Sequence, residues 1–141
     1  MWIEKISGLL PEVTFREPAE AEALAACEKA LGHELPDALK ELLLASDGVQ
    51  GAWSLDVVWP VERIQADNLY FRGDADFAEL YMPFEPLIFF GDDGGGDQFA
   101  FVRRGGRSDV FRWNHEDDSR KWVANNLEDY LKRVGDETIE D

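Results

Sequence analysis

The stretch Pro86–Val102, PLIFFGDDGGGDQFAFV, places three aspartates and three consecutive glycines between two strongly apolar runs. Asp-Gly and Gly-Gly pairs supply positive φ angles without a Cβ penalty, so two strands can reverse direction within a few residues. The unbroken run LIFFG predicts a strand that is buried on both faces, and QFAFV predicts its partner. The stretch therefore predicts a hairpin, and because like charges repel we expect Asp92 and Asp93 to lie in water at the sheet edge.

The same loop raises the question of a ligand site. Twelve residues counted from Asp92 or Asp93 end on Arg103 or Arg104, where a helix-loop-helix calcium site needs a bidentate acid. Neither GxxxxGK[ST] nor GxGxxG is present, and three carboxylates oppose an anion, so a phosphate cradle is excluded. A looser cation site that uses Asp92, Asp93 and Asp97 stays open beside the hairpin interpretation.

Two helices are predicted before this stretch. PAEAEALAACEKALG, from Pro18 to Gly32, and LPDALKELLLASDG, from Leu35 to Gly48, each carry a proline near the start and a glycine at the end. The second pattern also has leucines at helical spacing. Because the connection between them is short, we expect the two helices to be neighbours in space.

After these helices the apolar residues no longer recur with helical spacing. AWSLDVVWP, ending at Pro60, is aromatic and β-branched and predicts a strand. VERIQADNLYF predicts one or two helical turns. RGDADFAELYMPFEP, residues 72–86, has two prolines, several acids and no clear period, which predicts an irregular segment.

A further strand and a last helix are predicted after the stretch. SDVFRWN alternates as a strand does, and SRKWVANNLEDYLKRV has apolar residues with helical spacing, with Ser119 as its N-cap. The order is helix, helix, several strands, helix. We therefore expect one α+β domain over residues 1–141 with a mainly antiparallel sheet.

His115 stands beside Glu116, Asp117 and Asp118, and a histidine among carboxylates can bind a metal or act as a general base. Consecutive residues at a strand end point in different directions, however, and no second histidine is near in the sequence. We expect Asp117, Asp118 and Ser119 instead to cap the final helix and to complement its dipole. Metal or acid-base use of His115 stays open as the alternative.

Charge is the strongest global signal in the composition. Thirty Asp and Glu against fourteen Lys and Arg give a formal net charge of −16. A field of that sign repels nucleic acid and anionic membrane surfaces and attracts a basic partner. The charge can also serve solubility alone.

Other features exclude further classes. The single cysteine, Cys27, cannot form an internal disulfide, and the N-terminus is a poor signal peptide, so we expect a cytoplasmic protein. No nucleophile motif such as GxSxG is present, so we predict no enzyme activity, no catalytic residues and no cofactor.

Eight aromatic residues, Trp53 and Trp59 among them, lie in predicted strands. Most of these aromatics are expected in the core, and one or two at a sheet face could anchor a partner.

Three motifs in order resemble the SMI1/KNR4 family, the core of the SUKH superfamily. ALGHELPDALKELLLASDGVQG is similar to the family's helix-Leu-Pro-helix-Asn-Gly element, with Asp47 where asparagine is usual. PLIFFGDDGGGDQFAFV resembles its strand, Gly-Asp turn and strand. DVFRWNHEDD, followed by LEDYLKRV, resembles its last strand, turn and helix, with Asn114 in place of the usual aspartate. The resemblance covers about residues 18–134.

That resemblance implies an α+β domain without catalytic residues. Bacterial relatives are mostly cytoplasmic immunity proteins that neutralise polymorphic or contact-dependent toxins, often nucleases, and fungal relatives are interaction modules in cell-wall regulation. Two hypotheses follow: an immunity protein that occludes a basic toxin domain, or a regulatory or scaffolding module without a toxin partner. The candidate contacts are seven acids that we expect to be exposed: Asp74, Asp76, Glu79, Asp92, Asp93, Asp117 and Asp118.

Overall fold

The computed structural model describes residues 1–103 and 107–139. Within them the chain forms six helices and two antiparallel sheets, which confirms the predicted α+β class. The helices are α1 Trp2–Leu9, α2 Ala21–Leu31, α3 Asp37–Ala45, α4 Val61–Gly73, α5 Ala75–Leu80 and α6 Leu127–Asp136. The strands are β1 Thr14–Phe15, β2 Val49–Gln50, β3 Asp56–Val58, β4 Leu87–Asp92, β5 Gln98–Val102, β6 Val110–Trp113 and β7 Arg120–Ala124.

The two predicted N-terminal helices are confirmed as α2 and α3. Helix α2 ends at Gly32, whose φ of 81° is the left-handed stop that the sequence predicts. Helix α1 precedes both of them and was not predicted. It buries Ile6 against the core and packs along α6.

Gly48 has a different role from the predicted helix stop. Helix α3 ends at Ala45 with Ser46 as its C-cap. Gly48, with φ of 100°, lies so close to the next segment that a Cβ would stand 2.9 Å from the Pro60 nitrogen. The Asp47 carboxylate accepts a hydrogen bond from the Val61 N–H at 2.8 Å. The Asp-Gly pair therefore joins the exit of α3 to the first turn of α4.

Residues 52–85 differ most from the sequence predictions. Ala52–Ser54 form a short 3-10 turn, so the predicted strand is reduced to β3. Helix α4 is longer than the predicted one or two turns, because it runs for 13 residues. The segment predicted to be irregular contains the six-residue helix α5.

The four-stranded sheet has the order β4-β5-β6-β7, with every neighbouring pair antiparallel. Strand β4 is buried from Leu87 to Gly91, as its apolar run predicts. Asp92 pairs with Gln98 at the hairpin end, and a bulge interrupts the register between Phe89 and Gly91.

The last third of the chain corrects the predicted boundary of the final helix. Residues 120–124 form β7, and α6 begins only at Leu127, capped by the Asn126 side chain through the Asp129 N–H. Ser119 is therefore not the N-cap. The prediction is wrong because Val123, four residues before Leu127, continues the helical spacing by coincidence while lying in a strand.

Buried hydrogen bonds join the two sheets and the helices. The Trp59 N–H donates to the Phe90 carbonyl at 2.7 Å, which links the end of β3 to β4. The buried Tyr130 hydroxyl of α6 donates to the Val57 carbonyl at 2.7 Å, and burial raises its pKa well above the ordinary value. No helix in the described part of the chain is long and apolar enough to cross a membrane.

Candidate functional site

The loop between β4 and β5 is the hairpin turn that the sequence predicts. Gly94 and Gly96 have φ angles of 79° and 107°, which only glycine adopts without strain. The Asp92 and Asp93 carboxylates accept hydrogen bonds from the N–H groups of Gly94 and Gly95, at 3.1 and 2.8 Å. The loop's own acids therefore hold the turn closed.

Asp92 and Asp93 do not lie free in water, so that expectation is wrong. Asp92 Oδ1 accepts a hydrogen bond from Trp59 Nε1 at 2.8 Å, and Asp93 Oδ2 accepts one from Arg112 Nη2 at 2.6 Å. Only 18% and 26% of the two side chains is exposed. Their repulsion is relieved by partners from distant parts of the chain, which adjacency in sequence does not show.

The third acid of the loop, Asp97, lies between Arg112 and His115. Its Oδ2 is 3.0 Å from Arg112 Nε, and its Oδ1 is 2.7 Å from His115 Nδ1. Burial alone would raise the pKa of Asp97, but the hydrogen bonds from His115 and Arg112 outweigh it and hold that pKa below the ordinary value. Asp97 is therefore a carboxylate that fixes His115 against the loop.

Arg63 of α4 gathers the remaining acids of this region. Its guanidinium lies 3.0 Å from both Asp56 and Asp67 and 3.6 Å from Asp92, and it stacks 4.2 Å above the Trp59 ring. Two arginines thus form ion pairs with five carboxylates. We call these seven residues the hairpin surface: Asp56, Asp67, Asp92, Asp93 and Asp97, with Arg63 and Arg112.

This arrangement leaves the cation interpretation of the loop without support. Asp92, Asp93 and Asp97 already face arginine, histidine or tryptophan donors, which a cation would have to displace. Across residues 1–103 and 107–139, no group of three or more histidine, cysteine or acidic side chains is placed to hold a metal ion.

The Trp53 turn, Ala52–Ser54, lies beside the hairpin loop. Gly94 packs close to Leu55, which directly follows the turn. Trp53 is 97% exposed with φ of 63°, and Ser54 is also in the left-handed region. The prediction that Trp53 lies in a strand is wrong, and Trp53 is not one of the core aromatics, whereas Trp59 is fully buried.

A second surface is formed by α5 and the residues around it. Asp74 caps α5 by accepting a hydrogen bond from the Phe77 N–H at 3.0 Å, whereas Asp76 and Glu79 are exposed. Three large apolar side chains are exposed on the same segments: Tyr70 at 58%, Leu80 at 68% and Met82 at 56%. We call these residues the α5 surface: Tyr70, Asp74, Asp76, Glu79, Leu80 and Met82.

Asp117 and Asp118 lie in the β6–β7 turn and do not cap the final helix. Asp118 accepts hydrogen bonds from Trp113 Nε1 at 2.8 Å and from the Met82 N–H at 2.9 Å, and it pairs with Arg120 at 3.1 Å. Burial would raise the pKa of Asp118, but these bonds lower it below the ordinary value. Asp117 is exposed and accepts a hydrogen bond from the Ser119 N–H.

Contacts connect the three groups of predicted acids. Gly96 of the hairpin loop lies against the His115 ring, so that a Cβ there would stand 2.7 Å from its Cε1. The His115 carbonyl accepts a hydrogen bond from the Tyr81 hydroxyl at the end of α5, at 3.0 Å. The hairpin loop, the β6–β7 turn and α5 are therefore adjacent, although Asp92, Asp93 and Asp118 are engaged internally.

Three exposed apolar side chains, Trp53, Leu80 and Met82, were not identified from the sequence. Trp53 was predicted to lie in a strand because AWSLDVVWP has strand composition. In the structure Trp53 and Ser54 both have left-handed backbone angles, which turn the Trp53 side chain outward. Leu80 and Met82 carried no signal, since a single exposed apolar residue is common in any sequence. Exposure at these three positions depends on how the neighbouring elements pack.

Comparison with known proteins agrees with the motifs and the fold. The family model described as the SMI1 / KNR4 family (SUKH-1) matches residues 18–133. No curated protein matches the chain. Because the family match extends over most of the sequence and the fold is a mixed α+β domain, the chain belongs to the SMI1/KNR4 family of the SUKH superfamily.

Proposed function

We propose that this protein is a non-catalytic immunity protein that binds a basic toxin domain and neutralises it by covering its working surface. Members of the family are generally non-catalytic immunity proteins, which supports the class of function. The toxin would be met in the cytoplasm, where the single buried cysteine, Cys27, stays reduced. A nuclease is the most suitable target, because it needs basic groups to hold phosphates.

The acidic excess is the observation that carries the proposal. The formal net charge is −16, since thirty acidic side chains stand against fourteen basic ones. Such a field speeds the capture of a basic partner and opposes the capture of nucleic acid. An immunity protein must reach its toxin before the toxin reaches its substrate, so fast association has a direct use.

The test is to search the neighbouring genes for a toxin domain, which we expect to find, and to co-express it with this protein. We expect cells to survive the toxin only when this protein is present, and the purified pair to form a stoichiometric complex. A gene neighbourhood without a toxin domain, together with a non-toxin partner, would contradict the proposal and favour a regulatory or scaffolding module. A catalytically inactive toxin variant that still binds serves as the probe for the affinity measurements.

A further inference from the structure

The α5 surface combines exposed apolar groups on adjacent segments. Tyr70 is on α4, Leu80 ends α5 and Met82 follows it, and each has more than half of its surface in water. The Tyr70 ring packs 5.5 Å from the Phe77 ring of α5, so α4 and α5 are in contact beside these exposed groups. Exposed apolar groups that lie together, rather than singly, are typical of a protein-binding site.

The acids around these groups define the chemistry of the partner. Asp76 and Glu79 are three residues apart on α5, and therefore on one helix face, and Leu80 follows on that face at i+4 from Asp76. No lysine, arginine or histidine of the described residues lies within 4.0 Å of the carboxylates of Asp74, Asp76 or Glu79. A partner that brings cations to this rim would meet unpaired carboxylates.

The segment is also held in place before any partner arrives. Phe77 stacks on Phe71 with ring centroids 5.2 Å apart, and Tyr81 packs edge-on against Trp113 at 5.1 Å. The Met82 N–H is bound by Asp118. A surface that is already ordered loses little conformational entropy on binding.

We propose that the α5 surface is the docking site for a basic protein partner, whose lysine or arginine side chains surround an apolar centre. The apolar centre packs on Tyr70, Leu80 and Met82, and the cations pair with Asp76 and Glu79. This inference rests on the proposed function, and it identifies the surface through which the toxin domain is held.

The Trp53 turn also exposes a large apolar side chain. The pairing of the nearby acids distinguishes it from the α5 surface. The acids nearest to Trp53 are Asp56, Asp92 and Asp93, which are paired with Arg63 or Arg112 of the protein itself. A basic partner there would have to replace these internal cations. At Asp76 and Glu79 of the α5 surface it replaces no ion pair of the described residues.

The experiment compares three variants in binding to an inactive form of the toxin domain that the co-expression test identifies. Leu80→Ser with Met82→Ser should weaken the affinity about tenfold or more, through faster dissociation. Asp76→Asn with Glu79→Gln should slow association, and the difference from wild type should shrink at high salt. Trp53→Ala, a matched control at another exposed apolar site, should leave both rates unchanged.

The outcomes separate this inference from the proposed function. If wild type binds the toxin and both α5 variants bind within about twofold of it, the docking site is elsewhere and only this inference is overturned. Loss of binding by Trp53→Ala alone overturns it in favour of the Trp53 turn. If the wild-type protein does not bind the toxin, the proposed function itself fails, and the docking site with it. Thermal unfolding of each variant verifies that these exposed substitutions leave the fold intact.

Discussion

Asn68 is the side chain that closes the open edge of β4. Its Oδ1 accepts a hydrogen bond from the Phe89 N–H at 2.9 Å, and its Nδ2 donates to the Phe89 carbonyl at 2.9 Å and to the Ile64 carbonyl at 2.7 Å. The side chain thus pairs with β4 as a neighbouring strand would. Asn68 is buried, so no water is available to replace it.

Replacing Asn68 with alanine should lower the free energy of unfolding by about 2–3 kcal/mol, because both polar groups of Phe89 lose their partner. Asn68→Asp should cost at least as much, since a carboxylate cannot donate to the two carbonyls and its charge would be buried. Urea unfolding followed by tryptophan fluorescence measures both. The exposed Asn125→Ala is the control, and an equal loss at both positions would contradict the role given to Asn68.

At the scale of elements, the sequence predicted those parts whose signal is local. The helices α2 and α3 and the β4–β5 hairpin follow from capping residues, period and glycine turns. Helix α4 was underestimated because Asn68 stands at a core position of its period, together with Val61 and Ile64. Helix α5 has six residues, too few to show a period.

The sequence predicted that the candidate site is acidic, but it did not predict which acids are exposed and which are paired within the protein. All seven acids were chosen because acidic residues are usually exposed, which holds for Asp76, Glu79 and Asp117. Asp93 differs because Arg112 of β6 reaches it in the folded chain, and Asp118 differs because it binds the distant Met82 N–H. Pairing across a sheet depends on register, which the spacing of charges in the sequence does not reveal.

The packing of α1 on α6 depends on one glycine. A Cβ at Gly135 of α6 would clash with the Leu9 carbonyl at the end of α1, whereas a Cβ at Gly8 of α1 would meet nothing within 4 Å. Gly135→Ala should therefore lower the free energy of unfolding by about 1–3 kcal/mol. Gly8→Ala should raise it by about 0.5–1 kcal/mol, through helix propensity alone.

Chemical denaturation of the two alanine variants checks this pair, and each serves as the control for the other. Both replace a helical glycine by the same residue, so any difference between them comes from the surroundings. Stabilisation by Gly135→Ala would show that α1 does not pack closely on α6. Hydrogen exchange of the α1 amides should also accelerate in Gly135→Ala alone, because α1 loses its fixed position.

At the scale of the whole molecule, the negative net charge opposes folding stability and favours binding to a basic partner. A net charge of −16 on 141 residues repels itself, which destabilises the folded state, and it also favours binding to a basic partner. The hairpin surface shows how the fold limits the first effect, since Arg63 and Arg112 are placed where carboxylates are densest. On the α5 surface no lysine, arginine or histidine of the described residues lies within 4.0 Å of the carboxylates of Asp74, Asp76 or Glu79, so the repulsion between these acids is relieved by salt or by a partner.

Salt should therefore change stability and toxin capture in opposite directions. Raising NaCl from about 0.01 M to about 0.1 M shortens the Debye length from about 30 Å to about 10 Å. The melting temperature of the free protein should rise by a few degrees as self-repulsion is screened, while the association rate with the basic toxin domain should fall at least about tenfold. Scanning calorimetry and stopped-flow fluorescence measure the two quantities in the same buffers. An association rate that does not change over this range would remove electrostatic attraction from the mechanism, and a melting temperature that does not change would show that the charge is already balanced within the fold.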